Sequence, residues 1–156
     1  MKSIAVFTSG GDSPGMNACI RAVVRTALFH KIEVYGIRYG YEGMINDDFV
    51  RMSAQSVANI IHRGGTVLKT ARSASFMTSE GMKKAADNIA KHKIEGIVAI
   101  GGDGTFRGAL AFREFCKVPL VPVSARVRCD AYSVIHALAL RSLRPTPRSC
   151  RRTPTT

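Results

Sequence analysis

Short runs of consecutive apolar residues alternate along the chain with stretches in which apolar residues recur every three or four positions. Ile4-Ala5-Val6-Phe7 is a run of the kind buried on both faces of a sheet. After a glycine-rich loop, Ile20, Val23, Val24, Ala27 and Leu28 recur at helical spacing. Ser13 is expected to cap this helix, with Pro14 at its first position, where no N–H is needed. Glu33–Ile37 reads as a second strand and closes a βαβ unit. Tyr39-Gly40-Tyr41-Glu42-Gly43 reads as a turn and Phe49–Met52 as a short strand. Ser53 is expected to cap a helix reaching about Ile61 and ended by Gly64-Gly65, followed by a loop over residues 66–77. Met82, Ala85, Ala86, Ile89 and Ala90 form the next stripe, leading into a strand over Gly96–Ile100. Gly104-Thr105 is expected to open another helix with Phe106, Ala109 and Leu110 inward, and Val118-Pro119-Leu120-Val121 to start a last strand. The pattern predicts an α/β fold: a three-layer sandwich with a mostly parallel, Rossmann-like sheet, binding ligands at the carboxyl ends of its strands.

The alternation fades after about Val123. All 14 glycines lie at or before Gly108, and the ending from Arg144 to Pro154 is rich in Arg, Pro, Ser and Thr. The expected division is an ordered body over residues 1–123 and a basic tail over 124–156, largely disordered, with residues 131–140 apolar enough for a helix. A chain of 156 residues has room for one domain with a respectable core. Its net charge of +12 is unevenly spread: residues 1–117 hold eight Lys, eight Arg and ten acids, and residues 118–156 hold seven Arg and one acid, so each part carries +6. A mildly basic body suits an anionic small molecule, and a tail whose only aromatic is Tyr132 argues against a nucleic-acid partner. No apolar run reaches the ~18–20 residues that span a bilayer, and the first residues read as a strand rather than a secretory signal. Cys19, Cys116, Cys129 and Cys150 are widely spaced and suggest reduced, cytoplasmic thiols.

Two glycine loops carry the candidate chemistry, each at the end of an apolar strand. In Gly10-Gly11-Asp12-Ser13-Pro14-Gly15 the glycine spacing matches a Walker A loop, but Met16-Asn17 stands where Lys and Ser or Thr would follow, so this is not a P-loop. In Gly101-Gly102-Asp103-Gly104-Thr105 the third glycine of a dinucleotide fingerprint is absent, since residue 107 is Arg107. Such loops point backbone N–H groups at an anion. A bare Asp103 carboxylate there would repel phosphate unless a cation lay between them, and Mg²⁺ is the usual one. Arg72, after the loop Thr66–Ala71, is placed to neutralise a transferring phosphoryl group, or else is a solvated surface arginine. Arg21 and Arg25, four apart, either clamp an anion or form a plain basic helix face. A tight βα turn without a ligand remains the alternative for the glycine loops. His30, His62, His92 and His136 show no metal-ligand spacing.

The stretch Val6–Asn17, then His62-Arg63-Gly64-Gly65-Thr66, then Ile100–Thr105 resemble the bacterial ATP-dependent 6-phosphofructokinases in order and spacing, over about residues 1–121. The resemblance implies that Gly11, Arg72, Ser73, Gly102, Asp103, Gly104 and Thr105 bind ATP, with Asp103 serving Mg²⁺. It implies ATP rather than pyrophosphate as donor, because pyrophosphate-using relatives typically carry Asp at the position of Gly104. Arg21 and Arg25 fall where that family binds an allosteric nucleotide between subunits of a homotetramer; where a further basic residue is frequent, this chain has Ala54 and Gln55. The implied reaction is transfer of the ATP γ-phosphoryl group to fructose 6-phosphate in cytoplasmic glycolysis. Other readings are an NAD-kinase-like or lipid-kinase-like phosphotransferase sharing the Gly-Gly-Asp-Gly-Thr loop, and a non-catalytic nucleotide- or nucleic-acid-binding module.

After Val121 the family continues Gly-(Ile or Leu)-Pro-Gly-Thr-Ile-Asp-Asn-Asp, whose first aspartate is the general base. This chain reads Pro122-Val123-Ser124-Ala125-Arg126-Val127-Arg128-Cys129-Asp130. With that base and the sugar-binding part missing, the chain alone is expected to lack kinase activity and to leave an exposed sheet edge prone to aggregation. A sudden glycine-free, arginine-rich stretch is what a reading-frame shift in a G+C-rich gene produces. The coding DNA is therefore expected to spell the family motif in another frame beyond Val121; its absence from every frame overturns that explanation.

Overall fold

The computed structural model describes residues 1–124 and 134–138. Up to residue 124, five strands and four helices follow one another as β1 (Ser3–Thr8), α1 (Met16–Phe29), β2 (Glu33–Ile37), α2 (Tyr41–Ile45), β3 (Phe49–Met52), α3 (Ser79–Lys91), β4 (Ile97–Gly101), α4 (Asp103–Phe112) and β5 (Leu120–Ser124), with a 3₁₀ turn at Ser75–Met77. The sheet order is β3-β2-β1-β4-β5. All neighbours run parallel except β3, which returns antiparallel against β2 with Tyr35 opposite Arg51.

Alternation of side chains along each strand builds two cores, one on each face of the sheet. Ile4, Val6, Val98 and Ile100 pack beneath α1, whose Ile20, Val23, Val24 and Ala27 are fully buried; Ile135 and Leu138 of the helical residues 134–138 join this core. On the other face Ala5, Phe7, Ile97 and Ala99 meet α2, α3 and α4 through Met44, Ile45, Met82, Ile89 and Phe112. The predicted three-layer sandwich with its mostly parallel sheet is the observed architecture. Of the helix expected over residues 131–140, residues 134–138 are helical and the rest lie outside the described residues.

Several local expectations are corrected. α1 starts at Met16 with Gly15 at its cap position and no side-chain cap, because Ser13-Pro14-Gly15 first form a turn in which the Met16 N–H donates to the Ser13 carbonyl at 3.0 Å. Residues 41–45 are a helix rather than part of a turn: Gly40 makes the bend at φ +61°, and burial of Tyr41, Met44 and Ile45 holds the short helix. The helix expected from Ser53 to Ile61 is a series of turns. The Ser53 and Ser56 hydroxyls compete for backbone N–H groups, as such side chains do against helix, and Asn59 takes φ +54°. Val57 and Ile60 still anchor that segment in the core. α4 begins at Asp103, and Leu110 points outward at 64% exposure while Thr105, Gly108, Ala109 and Phe112 turn inward.

An ionic contact ties α2 to the end of α3. Asp47, just past α2, accepts from Lys91 Nζ at 2.5 Å and lies 2.6 Å from His92 Nε2, while the Asn88 amide donates to the Met44 and Ile45 carbonyls at 3.0 Å. The hydrogen bonds from Lys91 and then His92 hold the Asp47 carboxyl below its ordinary value of 3.8. A folded value below the unfolded one stabilises the fold above the unfolded value, and that contribution is lost as pH falls through the folded one. Asp47→Asn is thus expected to lower Tm at neutral pH, with the two Tm curves converging in acid below 3.8; thermal melts whose separation does not change with pH would contradict this.

Candidate active site

β1 leads through α1 to β2 on one side of the sheet, and β4 leads through α4 to β5 on the other. The carboxyl ends of β1 and β4 therefore flank the point where strand order reverses, the position at which such sheets open a crevice. A cleft of about 930 Å³ lies there, walled by residues 9–14, by residues 101–105 and by Ala71-Arg72-Ser73. The two glycine loops meet directly: the Ser9 N–H donates to the Ile100 carbonyl at 3.0 Å, and the buried Thr105 hydroxyl donates to the Ser9 carbonyl at 3.1 Å.

The glycines of these loops divide into two kinds. Gly101 is demanded by packing, since a Cβ there would sit 2.2 Å from Thr105 Oγ1 and 2.6 Å from the Ser9 carbonyl oxygen. Gly10 is demanded by its backbone, at φ +92°. Gly11, Gly102 and Gly104 are demanded by neither: their backbones avoid the left-handed region and a Cβ would meet nothing within 4 Å. All three line the cleft. A bare backbone facing open space is suited to close approach by a ligand.

Both helices that start at the cleft lack a side-chain cap, α1 at Gly15 and α4 at Gly102. Their first-turn N–H groups and the positive ends of their dipoles make the cleft favourable to an anion. Its side chains alone do not: among the described lining residues Arg72 is the only cation, against the carboxylates of Asp12 and Asp103. Among the described residues no group of three or more His, Cys, Asp or Glu is arranged to hold a metal by itself. One exposed carboxylate beside an anion-binding backbone is nonetheless a donor set that Mg²⁺ accepts, since this ion keeps several waters and shares phosphate oxygens. Phe76, Met77 and Phe106 add apolar surface to the lining of the cleft.

A hydrogen-bonded frame holds the third wall. Thr8 Oγ1 donates to the Lys69 carbonyl at 2.9 Å, and buried Asn17 bridges the Arg63 carbonyl at 3.0 Å and the Val67 N–H at 2.8 Å. Tyr41, stacked on Phe76 at 4.0 Å, donates its hydroxyl to the Thr105 carbonyl at 2.6 Å. Burial pushes the Tyr41 hydroxyl far above the ordinary tyrosine range, so it remains a donor at every physiological pH. Ser73 Oγ donates to Glu42 Oε2 at 2.5 Å and accepts from the Phe76 N–H at 3.1 Å.

The structure brings Gly11, Arg72, Ser73, Gly102, Asp103, Gly104 and Thr105 to this one cleft. Arg21 and Arg25 lie apart on α1, where Arg21 Nη1 donates to the Val57 carbonyl at 2.6 Å and Arg25 is exposed. Sequence reasoning missed Thr8, Asn17, Tyr41 and Glu42. For the last two the available signal was the pair of buried-type residues Met44 and Ile45 directly after Gly-Tyr-Glu-Gly, a helical rather than a turn pattern.

The phosphofructokinase family model matches residues 3–136. The chain is 54% identical over 132 residues to the ATP-dependent 6-phosphofructokinase of Cytophaga hutchinsonii, covering 85% of this chain and 40% of that protein. To the ATP-dependent 6-phosphofructokinase of Shouchella clausii it is 62% identical over 109 residues, covering 70% and 34%. Its fold superposes on phosphofructokinase from Saccharomyces cerevisiae with a TM-score of 0.75 and 35% identity, over 80% of this chain and 20% of that one. The chain thus spans well under half the length of these relatives.

The two kinds of glycine separate folding from binding. Gly101→Ala is expected to destabilise by about 3 kcal/mol through overpacking against backbone. Gly102→Ala and Gly104→Ala should stay within about 1 kcal/mol of the parent, the latter gaining helix propensity. Urea unfolding of the three variants checks this, and comparable losses in all three would show that the open glycines serve the fold.

Proposed function

The chain belongs to the phosphofructokinase family, and on that premise we propose that it carries the ATP-binding part of an ATP-dependent 6-phosphofructokinase. The whole enzyme's reaction is then ATP and fructose 6-phosphate to ADP and fructose 1,6-bisphosphate, in cytoplasmic glycolysis. In this reading residues 1–123 are the nucleotide-binding part and 124–156 a divergent basic tail. The observation that carries the proposal is the convergence on one cleft of three glycines no packing requires and two helix starts no side chain caps.

The phosphates lie against the bare backbone at Gly11 and at Gly102, Asp103, Gly104 and Thr105, whose N–H groups meet them without reorganisation. Thr105 takes part through its backbone, because its hydroxyl is committed to Ser9. Asp103 would hold Mg²⁺, which would supply positive charge to offset that of the phosphates. Arg72 supplies the second cation and spreads charge over the transferring group. Phe76, Met77 and Phe106 give the nucleotide base an apolar wall. Arg21 and Arg25 form part of an allosteric nucleotide site that a neighbouring subunit of a homotetramer would complete. Pro122-Val123-Ser124 stands where the family's Gly-(Ile or Leu)-Pro leads to its catalytic aspartate, so the chain binds without turning over.

Titration calorimetry of the purified chain with Mg·ATP is expected to show binding that EDTA abolishes. Asp103→Ala should weaken it at least about tenfold, the loss of a charge-assisted contact, as should Gly104→Ala despite its unchanged stability. A coupled assay with fructose 6-phosphate should register no product. A folded, soluble chain that ignores Mg·ATP refutes the binding role, and measurable turnover refutes the need for the missing aspartate.

A further inference from the structure

We propose that Glu42 is a positioning residue for the nucleotide site: its carboxylate accepts a hydrogen bond from the Ser73 hydroxyl and thereby fixes the loop that presents Arg72. The inference deepens the nucleotide reading and rests on it.

The loop is otherwise loosely held. Lys69 is tied by its carbonyl to Thr8, and Phe76 is buried in the core, but among the described residues Thr70, Ala71 and Arg72 make no hydrogen bond or ion pair. Ser73 is therefore the tie nearest to Arg72. A serine hydroxyl has one proton and two lone pairs. Here the O–H donates to Glu42 Oε2 at 2.5 Å, and a lone pair accepts from the Phe76 N–H at 3.1 Å. The Ser73 side chain has no proton left for a phosphate, so what Ser73 offers a nucleotide is its backbone.

Glu42 is itself firmly placed. It sits on α2, whose entry is pinned because a Cβ on Gly40 would lie 2.7 Å from the Thr8 carbonyl oxygen and one on Gly43 1.7 Å from that of Arg38. Its other oxygen, Oε1, accepts from Asn46 Nδ2 at 3.2 Å, and among the described residues it forms no ion pair. The adjacent Tyr41 reaches the other wall of the cleft at the Thr105 carbonyl. Two consecutive side chains of one short helix thus set the spacing between the Arg72 loop and the first turn of α4. A carboxylate near an anion site with no cation of its own is unfavourable for binding, which makes its role as acceptor for Ser73 the physical reason for its presence.

The test compares Glu42→Ala, Glu42→Gln, Ser73→Ala and Ser73→Thr with the parent chain, reading Mg·ATP affinity by calorimetry and amide exchange of residues 73–77 without ligand. Loss of a hydrogen bond to a charged acceptor should weaken Mg·ATP about tenfold in Glu42→Ala and Ser73→Ala. Their double variant should be no weaker than either alone, and Glu42→Gln and Ser73→Thr should recover most of the affinity. Phe76 N–H exchange should accelerate in both alanine variants while exchange in β1 and β4 stays unchanged. Full affinity in Glu42→Ala, or additive losses in the double variant, overturns the proposal. If the parent binds no Mg·ATP, the nucleotide reading fails separately, and the exchange data still decide: an unchanged Phe76 rate in Glu42→Ala overturns the role of Glu42 in fixing the loop as well.

Discussion

Everything at the cleft depends on how closely the ends of β1 and β4 approach one another. The Ser9 carbonyl and the Thr105 hydroxyl meet over Gly101, in space that a single methyl group would fill. That contact brings two helix starts, which the chain order separates by nearly ninety residues, to the mouth of one crevice. Backbone dipoles of the two loops then act together on whatever lies between them. Without the approach, each loop would be an ordinary strand-to-helix turn.

The cleft is built from parts of unequal firmness. Its floor belongs to the sheet, where β1 and β4 are buried on both faces and paired along their lengths. Its third wall, around Arg72, comes from a long connection with little secondary structure and is held by side chains: Thr8 at one end, Asn17 behind, Ser73 and Glu42 at the other. Val57, Ile60, Leu68 and Phe76 anchor the connection in the two cores, so the part held by side-chain hydrogen bonds is the short stretch around Arg72. A sheet-built floor facing a wall held by single side chains is an arrangement that permits a ligand to enter and then be gripped.

Sequence periodicity captured the layers and, up to residue 124, the five strands and three of the four helices, because strong hydrophobic patterns over full element lengths leave few alternatives. It failed where two local devices compete. Ser53 has the chemistry of a helix cap, but with Ser56 three residues later the two hydroxyls satisfy each other's backbone and favour turns. Ser13 likewise gave way to the Pro14-Gly15 turn. Leu110 was placed inward by its hydrophobicity, yet the inward face of α4 is set by Gly108, where even a Cβ would come within 3.1 Å of the Tyr41 ring. The glycine loops were legible because their residues are rare in combination. Tyr41, Glu42 and Asn17 were not, because their importance lies in partners thirty to sixty residues away, which no local pattern encodes.

The charge of the chain and the charge of the site are separate matters. Of the +12 overall, half belongs to residues 118–156, whereas the cleft carries two carboxylates and one arginine among its described lining residues. Attraction for an anion there comes from oriented N–H groups, which hold partial charges in fixed directions and bring no counter-charge of their own. Such a site selects by shape and by close approach, since a dipole's pull fades faster with distance than that of a full charge. This is why bare glycines matter more here than added lysines would. Each side chain kept off the loops lets an anion move nearer to the dipoles, and the two carboxylates retained there, Asp12 and Asp103, work against that pull unless a cation offsets them.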